Sequence, residues 1–178
     1  MICMKTGEVF LQSAIKKFKT QKQLGEKAFA QLNDDDFFYK PSKESNSIAV
    51  IVQHMNGNML SRWTNFLTED GEKLWREREK EFEDILTTKA DVINAWNAGW
   101  DCVFNALESL KQEDVMKTIT IRSEQLSVVD AVIRQIDHYG YHIGQIVYIA
   151  RITKDEDWNS LSIPKNKSSD FNKAMNKL

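Results

Sequence analysis

Proline is nearly missing from this chain, with two in 178 residues, and glycine is sparse at seven. Proline breaks helix interiors and glycine weakens them, so their scarcity excludes a loop-rich β architecture and favours long helices. Cysteine is equally scarce: Cys3 and Cys102 lie far apart, with no Cys-x-x-Cys pair. That excludes a disulfide scaffold and a dithiol redox motif, and it leaves Cys102 as a small core hydrophobe. No apolar run approaches the ~18 to 20 residues of a membrane span, and the opening MICMKTGEVFLQ holds no stretch long enough for a signal peptide. The expectation is a cytoplasmic protein with no membrane partner. Charge of one sign is not in excess either. A net charge of −2 leaves no electrostatic footprint for nucleic acid, so none is expected as a partner. The lysines Lys16, Lys17, Lys19 and Lys22 and the mixed-charge run 76–83 read as solvated helix faces or a charged loop.

What is present is an ordinary globular composition, 42% apolar and 28% charged, on a chain of the length of one domain. We therefore read residues 1–178 as a single domain with a C-terminal extension from about 154. Apolar residues at three- and four-residue intervals predict a first helix over 8–32, through Leu11, Ala14, Phe18 and Ala28. Ser47 is a suitable N-cap for a second, over 48–67, with the stripe Ile48, Val52, Met55, Met59, Trp63 and Phe66. Thr88 with Asp91, and Ser127 with Asp130, have the spacing of capping boxes and predict a third helix to about 110 and a fourth to about 153. Gly99 allows a neighbouring helix to approach closely. The fourth helix is apolar around most of its circumference and belongs in the centre of a bundle. Between the last two, the alternating segment 117–122 predicts one short strand or hairpin arm, and a short helix is expected at 170–178. The fold class is all-α, a four-helix bundle with a small β appendage. Trp63, Trp75, Trp96 and Trp100 read as core, whereas Trp158 lies in a connection able to fold over the bundle mouth.

Only three histidines occur, and two of them, His138 and His142, are four residues apart on the fourth helix. That spacing turns ~40° about the axis and rises ~6 Å, so both imidazoles leave the same face and can chelate one ion. Their face also carries Ala131, Gln135, Gln145 and Ile149, which suits an inward pocket. His54, on the second helix with Asn58 one turn along, can complete a three-nitrogen site from across the bundle. Three ligands rather than four describe a site with a position left for substrate. Asn58, Gln135, Gln145 and Arg134 are candidates for orienting the ligands or contacting substrate. Gln135 and Gln145 could equally bond each other and water. Arg62 and Arg134 could take an anionic substrate, with surface salt bridges as the ordinary reading. By helical phase Asp137 points away from His138, and Asp130 is explained by its cap, so no general base stands out.

The segments Asp137-His138-Tyr139-Gly140-Tyr141-His142-Ile143-Gly144-Gln145-Ile146 and Val52-Gln53-His54-Met55-Asn56-Gly57-Asn58 resemble the histidine motifs of the DinB/YfiT-like superfamily. The resemblance extends over nearly the whole chain, and the segment 158–164 is similar to a branch of unknown function. It implies a bundle with a three-histidine site for zinc, nickel or iron, often a homodimer, largely bacterial. Relatives include enzymes that act with a low-molecular-weight thiol. A divalent-metal-dependent thiol transferase is the leading expectation. A metal-dependent hydrolase and a non-catalytic metal-binding stress-response or dimerisation protein are the alternatives.

Overall fold

The computed structural model describes residues 5–175. Four long helices make the bundle: α1 (Thr6–Phe29), α2 (Ile48–Trp63), α3 (Lys89–Glu108) and α4 (Val128–Lys154). A hairpin of β1 (Thr118–Ile121) and β2 (Glu124–Ser127) precedes α4, and α5 (Ser168–Met175) follows it. The all-α reading with a small β appendage therefore holds. The α2 helix packs along α3, α4 along α1, and α4 also meets α2. The two antiparallel strands pair Ile119 with Leu126 and Ile121 with Glu124, so the expected single arm has a partner strand.

The starts of the helices are set by the residues named for them. Ser47 Oγ accepts the Val50 N–H at 3.3 Å, and Thr88–Asp91 and Ser127–Asp130 form full capping boxes. Each cap satisfies amide groups that the helix leaves open at its first turn. The α2 helix stops at Trp63, short of the expected 67, because Asn65 takes a left-handed φ of 48° and its carbonyl accepts the Thr68 and Glu69 amides.

The core is aromatic at its centre, with one ring from each long helix. Phe18 stands 6.1 Å from Trp63, 6.2 Å from Trp100 and 5.8 Å from Tyr139, ring centre to ring centre. Such pairs add about 0.5–1.5 kcal/mol each beyond the apolar area they bury. The Tyr139 hydroxyl is wired as well, accepting from Trp63 Nε1 at 3.0 Å and donating to Asn58 Oδ1 at 3.1 Å. This node fixes the rotation of α4 about its axis. A Cβ on Gly99 would lie 2.8 Å from Met59 Sδ and 3.2 Å from Asn56 Cα, so α3 and α2 do touch there.

Two expectations fail. The α4 helix is not enclosed: Ile133, Tyr141, Tyr148 and Ile152 are exposed, because α1 and α2 cover only part of its surface. Trp75 is exposed too, since it belongs to the irregular connection after α2 rather than to a helix stripe. Trp63, Trp96 and Trp100 are core as expected, and Trp158 is half-buried against it. Cys102 is half-buried, its thiol pushed up by burial, whereas Cys3 lies outside the described residues, as does the end of the helix expected over 170–178. No described helix is long and apolar enough to cross a membrane.

Candidate metal centre

The rotation imposed by Tyr139 carries its neighbour His138, and His142 one turn on, to the side of α4 that faces α2. There they meet His54. One ligand atom from each of the three rings can be chosen so that all lie within 4.8 Å of one another. Ring centres are 4.6 Å apart for His138–His142, 4.9 Å for His54–His142 and 5.5 Å for His54–His138.

Hydrogen bonds decide which nitrogens face inward. His54 Nδ1–H donates to Glu81 Oε2 at 2.9 Å, and His142 Nδ1–H donates to Gln145 Oε1 at 2.9 Å. Both rings are thereby held with Nε2 unprotonated, as an acceptor. His138 Nε2 is 3.1 Å from His142 Nε2, close to the ~3.3 Å between neighbouring nitrogens bound at ~2.0–2.1 Å to one tetrahedral cation. The outer nitrogen of His138 is buried with no partner, and so is Gln135 Oε1, three residues earlier on the same helix. A proton on His138 Nδ1 would leave the third Nε2 to a cation. The donor set therefore fits a borderline-soft divalent ion.

The two α4 imidazoles are also kept neutral, as a metal ligand must be. Burial first, then the neighbouring His142 and His54, push His138 down to about 3. Burial pushes His142 down to about 4 against the opposing bond from Gln145.

Glu81 is the residue that sequence reasoning missed. It sits in a 3₁₀ turn, Arg78–Phe82, inside the run read as solvated, yet it is 7% exposed. Arg76 grips it through Nε at 2.6 Å and Nη2 at 2.8 Å, and its carboxyl stays below the usual carboxylate range although burial opposes this. Phe82 from the same turn stacks on the His54 ring at 4.8 Å. A Cβ on Gly57 would press on the Glu81 carboxylate, which is why α2 carries no side chain at that position. The only sequence signal was a lone phenylalanine, Phe82, in a run otherwise made of charged residues, without helical period.

A cavity of about 460 Å³ opens beside the imidazoles. His54, His138, Asn58, Gln135 and Arg134 line it, and so does Asp137, contrary to the helical-phase expectation. Arg62 is not on the surface: it is buried, donating to Gly71 O and to Glu72 Oε2. Gln145 turns outward from the ligand ring to accept from His142 and donate to the Tyr141 hydroxyl.

The sequence model of a family described as "Protein of unknown function (DUF1572)" matches residues 5–167. The chain belongs to the DUF1572 family. All three histidines, Glu81 and the cavity lie within the DUF1572 match, which ends just before α5. No curated protein matches the chain.

Proposed function

We propose that this DUF1572 chain is a DinB/YfiT-like protein that holds one divalent transition metal on His54, His138 and His142. We propose further that it is an enzyme transferring a low-molecular-weight thiol to an electrophile. The observation that carries the reading is the convergence of three imidazoles, two of them with Nδ1 already committed to Glu81 and Gln145. Three protein ligands, with a cavity alongside, favour a catalytic arrangement over a closed structural one. When bound, such a cation lowers the pKa of a thiol or water that it takes up and so supplies a nucleophile at neutral pH. The chain's own residues do the rest. Glu81, clamped by Arg76, holds the His54 ring and its tautomer; Gln145 does the same for His142; Gln135 Oε1, unpartnered on the same helix, is the acceptor we assign to the His138 Nδ1–H. Zinc, nickel and iron all suit this donor set.

Asp137 supports a second reading, hydrolysis, because its carboxylate lies on the wall of the same cavity and could accept a proton from water. The exposed Ile133, Tyr141, Tyr148 and Ile152 on α4 support a homodimer as the working state of a single-domain chain.

Titration of the cobalt-substituted protein with glutathione and with bacillithiol tests the thiol reading. The visible absorption bands of the cobalt should change in position or intensity with a thiol and not with its S-methyl analogue. Bands that ignore every thiol, on protein with full cobalt occupancy, would discard thiol transfer and leave hydrolysis or metal binding without turnover.

A further inference from the structure

The cavity beside the histidines has a wall of unusual composition. Five arginines, Arg62, Arg76, Arg78, Arg122 and Arg134, line it, against one carboxylate, Asp137. They come from separate segments: α2, the connection after it, the turn of the hairpin, and α4. Guanidinium groups are costly to bury and repel one another, so bringing them together without a structural reason is unfavourable.

Internal pairing accounts for only part of this charge. Glu72 accepts Arg62 Nη2 at 3.0 Å and Arg122 Nε at 2.9 Å, and it stands 3.7 Å from Arg76 Nη1. Glu81 takes the other two nitrogens of Arg76 and also the His54 N–H. Two carboxylates thus serve three guanidiniums and an imidazole. The shortfall is localised: the Arg76 side chain is 2% exposed, and its Nη1 has no hydrogen-bond partner. A buried charged donor without a hydrogen bond, its nearest carboxylate 3.7 Å away, leaves room for one more acceptor.

The outer arginines have a different character. Arg78, Arg122 and Arg134 are about half exposed, and Arg78 and Arg134 pair only with the exposed Glu79 and Glu124, at 3.0 and 3.3 Å. Such pairs are weak and easily exchanged. Arg122 is nevertheless held in place at its backbone. It and Ser123 adopt left-handed φ values of 54° and 63°, and both amides donate to Asp70 at 2.8 Å. Partial desolvation opposes it, yet those amides and that of Glu72 hold Asp70 down to about 2, so this clasp stays charged. The result is a fixed cationic floor, Arg62 and Arg76, under a rim of Arg78, Arg122 and Arg134.

We infer that this arginine-lined cavity binds an oxyanionic group, carboxylate or phosphate, of a small molecule, and so presents that molecule to the three histidines. The guanidinium fork matches both oxyanions in two-point geometry, which a lysine could not do. A nucleic-acid strand does not fit the observation, because the arginines enclose a cavity instead of forming a stripe along the surface. The part of the inference that places the bound molecule at a reaction centre rests on the metal reading above; oxyanion binding itself does not.

Isothermal titration of the full chain with succinate, with inorganic phosphate and with uncharged succinamide tests it, at constant ionic strength, on metal-free and on metal-loaded protein. Wild type should bind one of the two anions saturably and at least tenfold more tightly than succinamide. Whichever of succinate and phosphate binds more tightly identifies the group. The Arg134→Gln variant should weaken that binding several-fold and the double variant Arg122→Gln/Arg134→Gln at least tenfold, with far-UV circular dichroism and metal content unchanged. Should Arg122→Gln disturb the hairpin, Arg134→Gln alone decides. Anion binding no tighter than that of succinamide, or binding that Arg134→Gln leaves unchanged, overturns the inference. Anion binding without metal uptake would reject the metal reading and leave the oxyanion site standing; metal uptake without anion binding would do the reverse.

Discussion

At the scale of single residues, the most informative side chain is Glu81, because it connects the three-histidine cluster to the arginine floor. Replacing it with glutamine keeps the shape but removes the charge that fixes the His54 tautomer and neutralises Arg76. Carboxylate partners of ligating histidines are worth roughly ten- to hundredfold in metal affinity, so Glu81→Gln should lose that much in a competition against a chelator. An affinity equal to wild type would mean that Glu81 serves the fold alone. The two α4 histidines give a pH prediction. Both have folded pKa values depressed by burial, to about 3 and about 4, below the ordinary 6.5. The unfolded chain therefore binds protons that the folded chain refuses, and stability is full above about pH 6.5 and lost as pH falls towards 4. Metal-free protein should show a melting temperature that drops across that window. In His138→Gln/His142→Gln the drop should be visibly smaller, since neither replacement titrates; an equal drop would assign the effect to other groups.

At the scale of elements, what was legible in the sequence is what depends on local chemistry. Ser47, Thr88 and Ser127 mark helix starts because capping needs only a side chain and the next turn. The stripe from Ile48 to Trp63 is buried throughout because the helical period decides which face meets the bundle. The i, i+4 spacing of His138 and His142 was legible for the same reason, while placing His54 opposite them needed the bundle and the family resemblance. The connection after α2 was not legible. Glu81 reaches His54 across 27 residues, and Arg76, Glu72 and Arg122 assemble from two non-periodic segments, so neither period nor cap betrays them. The exposed side of α4 misled in the opposite direction, since an apolar circumference cannot say how many neighbours a helix has. The close approach of that connection to α2 is itself testable. In Gly57→Ala the new methyl meets a carboxylate that Arg76 and His54 hold on both sides. The variant should keep its helical circular dichroism, because alanine favours helix, yet bind metal at least several-fold more weakly. Unchanged metal affinity would show that the connection yields without disturbing His54.

At the scale of the whole molecule, one aromatic node and one three-histidine cluster share α4, so packing and site geometry are set by the same helix rotation. Tyr139 faces the node and His138 the cavity, on adjacent residues. The C-terminal α5 takes no part in either: none of its residues is buried, and the family match ends before it. Truncation after Lys167 should leave the melting temperature within about 2 °C and metal content unchanged, as expected for removal of exposed surface. A large loss of stability would reveal a role for α5 in an assembly of chains. Light scattering behind size exclusion addresses that assembly directly, and a monomer at every concentration would exclude the proposed homodimer.

The decisive measurement is the elemental content of protein purified without an immobilised-metal column, wild type beside His54→Ala, His138→Ala and His142→Ala. Wild type should carry about one divalent transition metal ion per chain, and each variant should lose most of it, because removing any one of three ligands opens the site. Wild type without metal even after reconstitution with zinc, nickel or iron, or a stoichiometry unchanged in His54→Ala, would contradict a shared site between α2 and α4.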